Sequence, residues 1–518
     1  MASTLGRKAD CKNRTILLIS FSLKSQNKDL IAHQHKEAAA ITALPVEILT
    51  IIFTYCAFRP CWPLGAAGKW FHFSHVCRRW RDVALDAPGV WACPDFECPV
   101  WALQMLERSK AASLDLTWRY GSAEGNKAFY KSLGQIDRVV GLRITAPLKE
   151  HIFTLVIDRL VKPAPRLRSL HLTSHSPTAE VLFLPTFLGG HSPLLTDLIV
   201  DGPFISWDSS LWRNNLSVLK VNYSAGGLNH ASSNFSHFLL ALTHMPNLKE
   251  LDLHRSMPSC PVLPSKDPIV PLRCLRSLRL SNASVADISY FFDHIHFPAL
   301  PLHLDLYGIE VPSHTSVHEQ IIPSLQRAFP SINGNLFNFL YVANADFEAW
   351  ACTCCNISEC FARCHSKHAF VRVHFATDYP DVTSFENVIR SLPLGGVCSL
   401  WLQAHTIGHQ FEMVVYKKLQ NLTALKITGS AAAEVTKALW EMAPDTSEEI
   451  FPRLYAVEMH TVHFDELLFL GLQSWLRQRI GYCRGIQIMV LRHCIIEQEK
   501  LTQIRTLIEV DNGFPDSL

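Results

Sequence analysis

The pattern that most constrains this chain is L-x-x-L-x-L/V, which recurs at intervals of roughly 20–30 residues. Clear copies run from Leu167 through Leu170 to Leu172, from Leu195 to Val200, from Leu216 to Val221, from Leu248 to Leu253 and from Leu275 to Leu280. Proline turns at Pro165, Pro193, Pro246 and Pro271 introduce several of them. Later segments continue the pattern: Leu302-x-Leu304-x-Leu306, Val397 to Leu402, Leu422 to Ile427 and Leu454 to Met459. Ile486-x-Ile488-x-Val490 reads as the last strand, and Leu501, Ile504, Leu507 and Ile508 as a capping helix. Each copy predicts one short strand followed by a helical return. Such a unit cannot bury its apolar side alone, so neighbours must stack into one continuous core. The inner L-x-L positions are then core. The residues between them (His171, Lys220, Asp252, Arg279, Trp401 and Lys426) face solvent on the concave side and are the candidate substrate-binding residues.

The pattern resembles the leucine-rich repeat in an irregular form, with the consensus asparagine mostly missing. The expected fold class is therefore α/β: a small all-α domain followed by an irregular leucine-rich-repeat-like solenoid, or horseshoe, over residues 96–518. Residues 310–395 contain no clean copy and are expected to hold longer returns or an insertion.

A different pattern occupies Ile41 to Trp91. Pro45 sits in a first helical turn, where its missing N–H costs nothing, and Glu47 suits the helix dipole. Ile48, Ile51, Ile52 and Tyr55 then fall on one helical face. Leu49, Phe53 and Cys56 make a second apolar line beside it. A surface helix needs only one apolar stripe, so the other calls for a partner. A second helix is expected to open at Ser74 as its N-cap, with Val76, Cys77, Trp80, Val83 and Ala84 inward and Arg78, Arg79, Arg81 and Asp82 outward. Pro88 and Trp91 follow a turn.

Leu44-Pro45-x-Glu47-Ile48-Leu49-x-x-Ile52-Phe53, then Val76-Cys77-Arg78-Arg79-Trp80-Arg81-Asp82-Val83-Ala84, then Pro88-x-x-Trp91, closely resembles an F-box of the variety expanded in fungi. The resemblance assigns residues 38–95 to an F-box domain. It implies docking on the Skp-type adaptor of an SCF-type ubiquitin ligase, and through it on a cullin-RING ligase. Leu44, Pro45, Ile48, Leu49, Ile52 and Phe53 match positions that face the adaptor. Val76, Cys77 and Trp80 match positions that complete the core and the contact. The repeats would hold an unidentified protein substrate, and the chain itself would have no catalytic site. The spacer 57–73, with Pro60, Pro63, Gly65 and Gly68, is longer than the usual compact link. A spacer of that length can weaken or reshape the partner-binding face, which gives the alternative: a non-degradative protein-interaction scaffold with a weak or inactive F-box.

Composition agrees with a globular chain with little disorder. Hydrophobic residues make up 48% and charged residues 18% of 518, with a net charge of +2. That balance gives no electrostatic footprint for nucleic acid or a membrane surface. The 16 cysteines are scattered through a chain with an ample core, so they read as buried free thiols in a reducing compartment, cytoplasmic and/or nuclear. Residues 1–37 read as a weakly ordered leader. The apolar run from Thr15 to Leu23 is too short to span a bilayer, and no small-residue cleavage site follows it. Cys352, Cys354, Cys355, Cys360, Cys364, His365 and His368 are rich in zinc-ligand types, but they match no standard zinc spacing. They read as thiols, and no metal or cofactor is expected. His191, His405 and His409 lack any catalytic frame such as G-x-S-x-G or H-E-x-x-H.

Overall fold

A computed structural model describes residues 44–57, 70–146, 156–174, 187–190, 192–202, 204–213, 215–223, 234–261, 267–297, 303–309, 324, 339–343, 346–350, 371–375, 394–403, 416–429, 431–433, 435–436, 450–481 and 485–511. The leader, most of the spacer, the Cys352–His368 cluster, His191, His405 and His409 lie outside these residues. The chain divides into two compact units, Met1–Val90 and Trp91–Leu518.

The first unit is helical. Helix α1 spans Val46–Ala57, a 3-10 turn covers Trp70–His75, and α2 spans Arg78–Asp86. The second helix therefore opens later than Ser74. Cys77 occupies the N-cap position in an extended conformation and contributes no side-chain cap, while Ser74 belongs to the preceding 3-10 turn. The cause is aromatic packing. Phe73 stacks on Phe53 with ring centroids 4.2 Å apart, and Trp80 closes on the same ring at 5.2 Å. That contact fixes the 3-10 turn against α1 and displaces the start of α2.

The second unit is built on a parallel sheet. In chain order its strands are β1 Leu114–Arg119, β2 Val139–Ala146, β3 Ser169–Ser174, β4 Asp197–Gly202, β5 Val218–Tyr223, β6 Glu250–His254, β7 Val270–Pro271, β8 Ser277–Ser281, β9 Ile295–His296, β10 His303–Ile309, β11 Phe339–Ala343, β12 Asp346–Trp350, β13 Val371–Phe375, β14 Ser399–Gln403, β15 Ala424–Thr428, β16 Ala456–His460, β17 Ile488–Arg492 and β18 Glu509–Asp511. The short β7 and β9 pair with each other. The remaining strands form one sheet in the order β1-β2-β3-β4-β5-β6-β8-β10-β13-β12-β11-β14-β15-β16-β17-β18. Space follows sequence except at β11–β13. There β12 runs antiparallel to both neighbours, while β13 is parallel to β10 and β11 to β14. The irregular region foreseen at 310–395 thus contains an antiparallel insertion in an otherwise parallel sheet.

Helices α3 Pro99–Arg108, α4 Ala123–Ser132, α5 Phe235–Thr243, α6 Val285–His294, α7 Glu466–Gly481 and α8 Gln498–Arg505 belong to this unit. They are one-sided. In α5, Phe235, Phe238, Leu239 and Leu242 are buried, and in α6 Val285, Ile288, Phe291 and Phe292. Phe238 meets Phe291 at 5.9 Å. The inner apolar pairs of the strands, such as Leu170 with Leu172, Leu251 with Leu253 and Leu278 with Leu280, are fully buried in the same core.

Burial alternates along these strands. One face is packed and the other remains partly open. Parallel sheets usually have both faces covered, so their strands read as continuous apolar runs; in this sheet most of the alternate, open positions are polar, with Ile199, Trp401, Ile488 and Val490 among the exceptions.

Near the C-terminus the observed phase differs from the sequence expectation. Met489 and Leu491 point into the core, and Ile488 is on the open face. The helix carrying Leu501 and Ile504 is followed by one more strand, β18. The described cysteines are free thiols, as expected, but they are partly or fully exposed rather than buried.

A turn recurs at the strand ends. The residue directly after β6, β8, β15, β16 and β17 is left-handed: Arg255, Asn282, Gly429, Thr461 and His493, with φ between 51° and 63°. Four of these donate their N–H to the next strand: Arg255 to Ser281 O, Asn282 to Tyr307 O, Gly429 to His460 O and Thr461 to Arg492 O. The residue after two of these turns bonds back to the preceding strand through its side chain. Ser256 Oγ donates to Val221 O at 3.0 Å, and Cys494 Sγ donates to Met459 O at 3.3 Å. Both acceptors lie on the preceding strand. Ser256→Ala removes the buried hydrogen bond to Val221 O and is expected to lower stability by about 1 kcal/mol. Cys494→Ala costs less because a thiol is a weak donor. Chemical denaturation of the two variants checks the order.

Candidate functional site

Two surfaces carry the residues nominated by sequence. The first is on the helical unit. The N–H of Leu49 bonds to Pro45 O at 3.1 Å, which starts α1, and Arg79 Nη2 donates to the Leu44 carbonyl. Those bonds pin the Leu44-Pro45 entry to α2. The two apolar lines of α1 then separate. Leu49 and Phe53 are buried at 0% and 1% exposure. They are core residues of the unit, which corrects their expected place on a docking face. Ile48, Ile51, Ile52 and Tyr55 form the open line, with Tyr55 76% exposed. Pro45 is exposed and Leu44 half-buried. Val76 is exposed, while Cys77 and Trp80 are half-buried; Trp80 serves the core through Phe53. The open residues on this side of the unit are therefore Pro45, Ile48, Ile51, Ile52, Tyr55 and Val76. The periodicity of Ile51 and Tyr55 marked them in the sequence, but only burial shows which of the two lines is free.

The second surface is the open face of the sheet. Backbone register places Thr117, Arg143, His171, Ile199, Lys220, Asp252, Arg279 and Asp305 in one row across β1 to β10. The row continues through the positions of Arg372, Glu348 and Tyr341 to Trp401, Lys426, Glu458, Val490 and Asp511. All six nominated residues lie in this row. Each sits between the two inner positions of its strand, and in-register pairing aligns those positions.

The row is electrostatically coupled. Arg279 reaches Asp252 at 3.2 Å and Asp305 at 3.0 Å. Burial works against the Arg279 charge, but the bonds to the two carboxylates outweigh it and hold its pKa above the ordinary value. Lys220 pairs with Glu250 at 3.2 Å. Lys426 Nζ lies 4.2 Å from the Trp401 ring centroid and 3.6 Å from Glu458. Burial lowers its pKa, and Glu458 opposes that shift. Arg492 Nε approaches Glu458 from the other side at 3.5 Å. Glu458, His460 and Arg492 carry no mark in the sequence, because nothing in the strand pattern signals a carboxylate held between cations on neighbouring strands.

His171 accepts a bond from Arg143 Nε at 3.1 Å through Nδ1. A guanidinium can only donate, so Nδ1 is the acceptor and the neutral ring carries its proton on Nε2. Burial, with the charge of Arg143, depresses the pKa of His171. Burial likewise depresses those of His254 and His460. The unfolded chain therefore takes up protons before the folded one as pH falls through about 6.5. Stability is full above that value and declines below it. Asp115 and Asp252, raised by burial, act in the opposite direction and in the lower carboxylate range. Denaturation at a series of pH values is expected to show the decline below neutrality, and His171→Gln to flatten it.

Among the described residues there is no cluster of three or more His, Cys, Asp or Glu able to hold a metal. None of their helices is long and apolar enough to cross a membrane. Residues 41–97 match the F-box-like family model, so the helical unit carries an F-box-like domain. No curated protein matches the chain.

Proposed function

We propose that the chain is the substrate-recognition subunit of an SCF-type ubiquitin ligase, its F-box-like domain docking on a Skp-type adaptor and its sheet holding a protein substrate. The open apolar line of α1 carries this reading. A small helical unit that leaves Ile48, Ile51, Ile52 and Tyr55 uncovered presents a contiguous apolar stripe of the kind that marks protein-binding surfaces. Its place within an F-box-like match gives that stripe a partner class.

The second unit is read as an irregular leucine-rich-repeat solenoid. Three observations support it: strands that follow one another in space, a sheet with one open face, and a left-handed turn repeated at strand ends. A solenoid presents its strands as an extended binding surface. The chain performs no chemistry on this reading; it raises the local concentration of substrate beside the ligase.

The test is co-expression of the full chain with a Skp-type adaptor, followed by purification through either partner. A stable one-to-one complex is expected. A folded chain that never retains the adaptor refutes the ligase role and leaves a scaffold that works through the sheet alone.

A further inference from the structure

The open face of the sheet is not uniform. From β3 to β10 its charges are cross-paired: Lys220 with Glu250, and Arg279 with both Asp252 and Asp305. A partner docking there must break exposed ion pairs and gains little apolar contact. From β14 to β17 the composition changes. Trp401 lies in the row, with its indole N–H held by Thr428 Oγ1 at 2.8 Å and the Lys426 ammonium over its ring. Ile488 is a large apolar side chain left 40% exposed, and Val490 stands half-buried next to it on the same face.

Charge is also unbalanced there. Glu458 faces two cations, Lys426 and Arg492. His460 and His493 lie beyond them, with their rings 5.2 Å apart. Glu509 and Asp511 on β18 stand opposite Ile488 and Val490 in the register, while the Arg492 side chain is 43% exposed. The arrangement is an apolar strip at the start of β17 and a cationic end at its close. Interfaces centre on buried apolar and aromatic anchors with charge complementarity around them.

We propose that an extended acidic segment of a partner protein docks across β14–β17, with an aliphatic or aromatic side chain over Ile488 and Val490 and a carboxylate at Arg492, His460 and His493. This rests on reading the open face as the substrate-binding surface, and it names the chemistry and the place. A carboxylate at that end also favours a protonated His460, which faces Lys426, Glu458, Arg492 and His493. Binding is therefore expected to tighten as pH falls from neutral toward 6.

The test uses a phage-displayed library of random peptides panned on the full chain. The selected peptides are expected to combine Asp or Glu with a neighbouring Leu, Ile, Phe or Trp. Their affinity, read by fluorescence anisotropy, is expected to fall about tenfold or more with Ile488→Ser and with Arg492→Ala, and to be unchanged by Lys220→Ala. Ile488→Ser keeps the test valid if loss of the Arg492–Glu458 pair perturbs the fold. Binders that are basic, or that lose affinity with Lys220→Ala instead, overturn the site while sparing the open-face reading. A folded chain that enriches no peptide overturns both, and neither result touches the adaptor reading, which is tested on the helical unit.

Discussion

Ile51→Asp combined with Tyr55→Asp is expected to abolish retention of a Skp-type adaptor while leaving the chain folded. Both side chains lie on the open line of α1, at 63% and 76% exposure, so replacing them removes little from the unit's own core. Burial of one such side chain at an interface contributes about 1.5–3 kcal/mol. Its replacement by aspartate also forces a carboxylate out of water against an apolar partner surface. Two such changes exceed what a complex of ordinary affinity can absorb, and the predicted loss is at least about a thousandfold. Leu49→Ala and Phe53→Ala give the contrasting result. They lie at the centre of the small core, where deletion costs about 2–5 kcal/mol, and they are expected to unfold the helical unit. Circular dichroism and limited proteolysis beside the pull-down separate the two cases. Binding that survives the double aspartate variant would place the docking face elsewhere.

The contrast also shows what the sequence could and could not convey. Periodicity marked two apolar lines on α1 without ranking them. Their ranking depends on Phe73, whose ring stacks on Phe53, and that contact crosses a spacer with no readable pattern. In the sheet, the row through His171, Lys220, Asp252, Arg279, Trp401 and Lys426 was legible because each residue stands between two inner apolar positions, and a parallel register carries that phase from strand to strand. The phase failed at Ile488. Ile486, Ile488 and Val490 alternate as well as Met489 and Leu491 do, so alternation alone left two registers open. The antiparallel β12 was not legible either. Strand direction is fixed by how the chain returns, and that information is absent from a five-residue segment. The partners of Lys426 were hidden for a related reason: Glu458 and Arg492 lie on two further strands, and only the register brings them together.

Arg138→Met is expected to destabilise the second unit by about 3–5 kcal/mol, the largest effect of a single substitution outside its leucine core. Arg138 closes the 3-10 turn that leads into β2, and only 9% of it is exposed. Its guanidinium donates to Ala112 O, to Leu106 O at 3.4 Å, to Ser109 Oγ at 2.9 Å and to Gln135 Oε1. Leu106 and Ser109 lie at the close of α3, where the last carbonyls of a helix have no partners within it. One side chain thus satisfies the end of α3 and the turn that follows it. Methionine fills a similar volume, so the variant isolates the hydrogen bonds from the packing. Ser109 Oγ still donates to the Leu106 carbonyl in the variant, so the loss falls on the bonds to Ala112 O, Ser109 Oγ and Gln135 Oε1, each a bond from a charged donor contributing about 1.5–3 kcal/mol. Arg479 performs the same task near the other end of the sheet, donating to Ile450 O, Phe451 O and Leu454 O from α7. Arg479→Met is expected to act in the same direction on β16 and its neighbours. If the core were held by leucine burial alone, both methionine variants would unfold at the wild-type denaturant midpoint. A lowered midpoint in each, with α1 and its docking face unaffected, assigns the ends of the sheet to these two buried guanidinium groups.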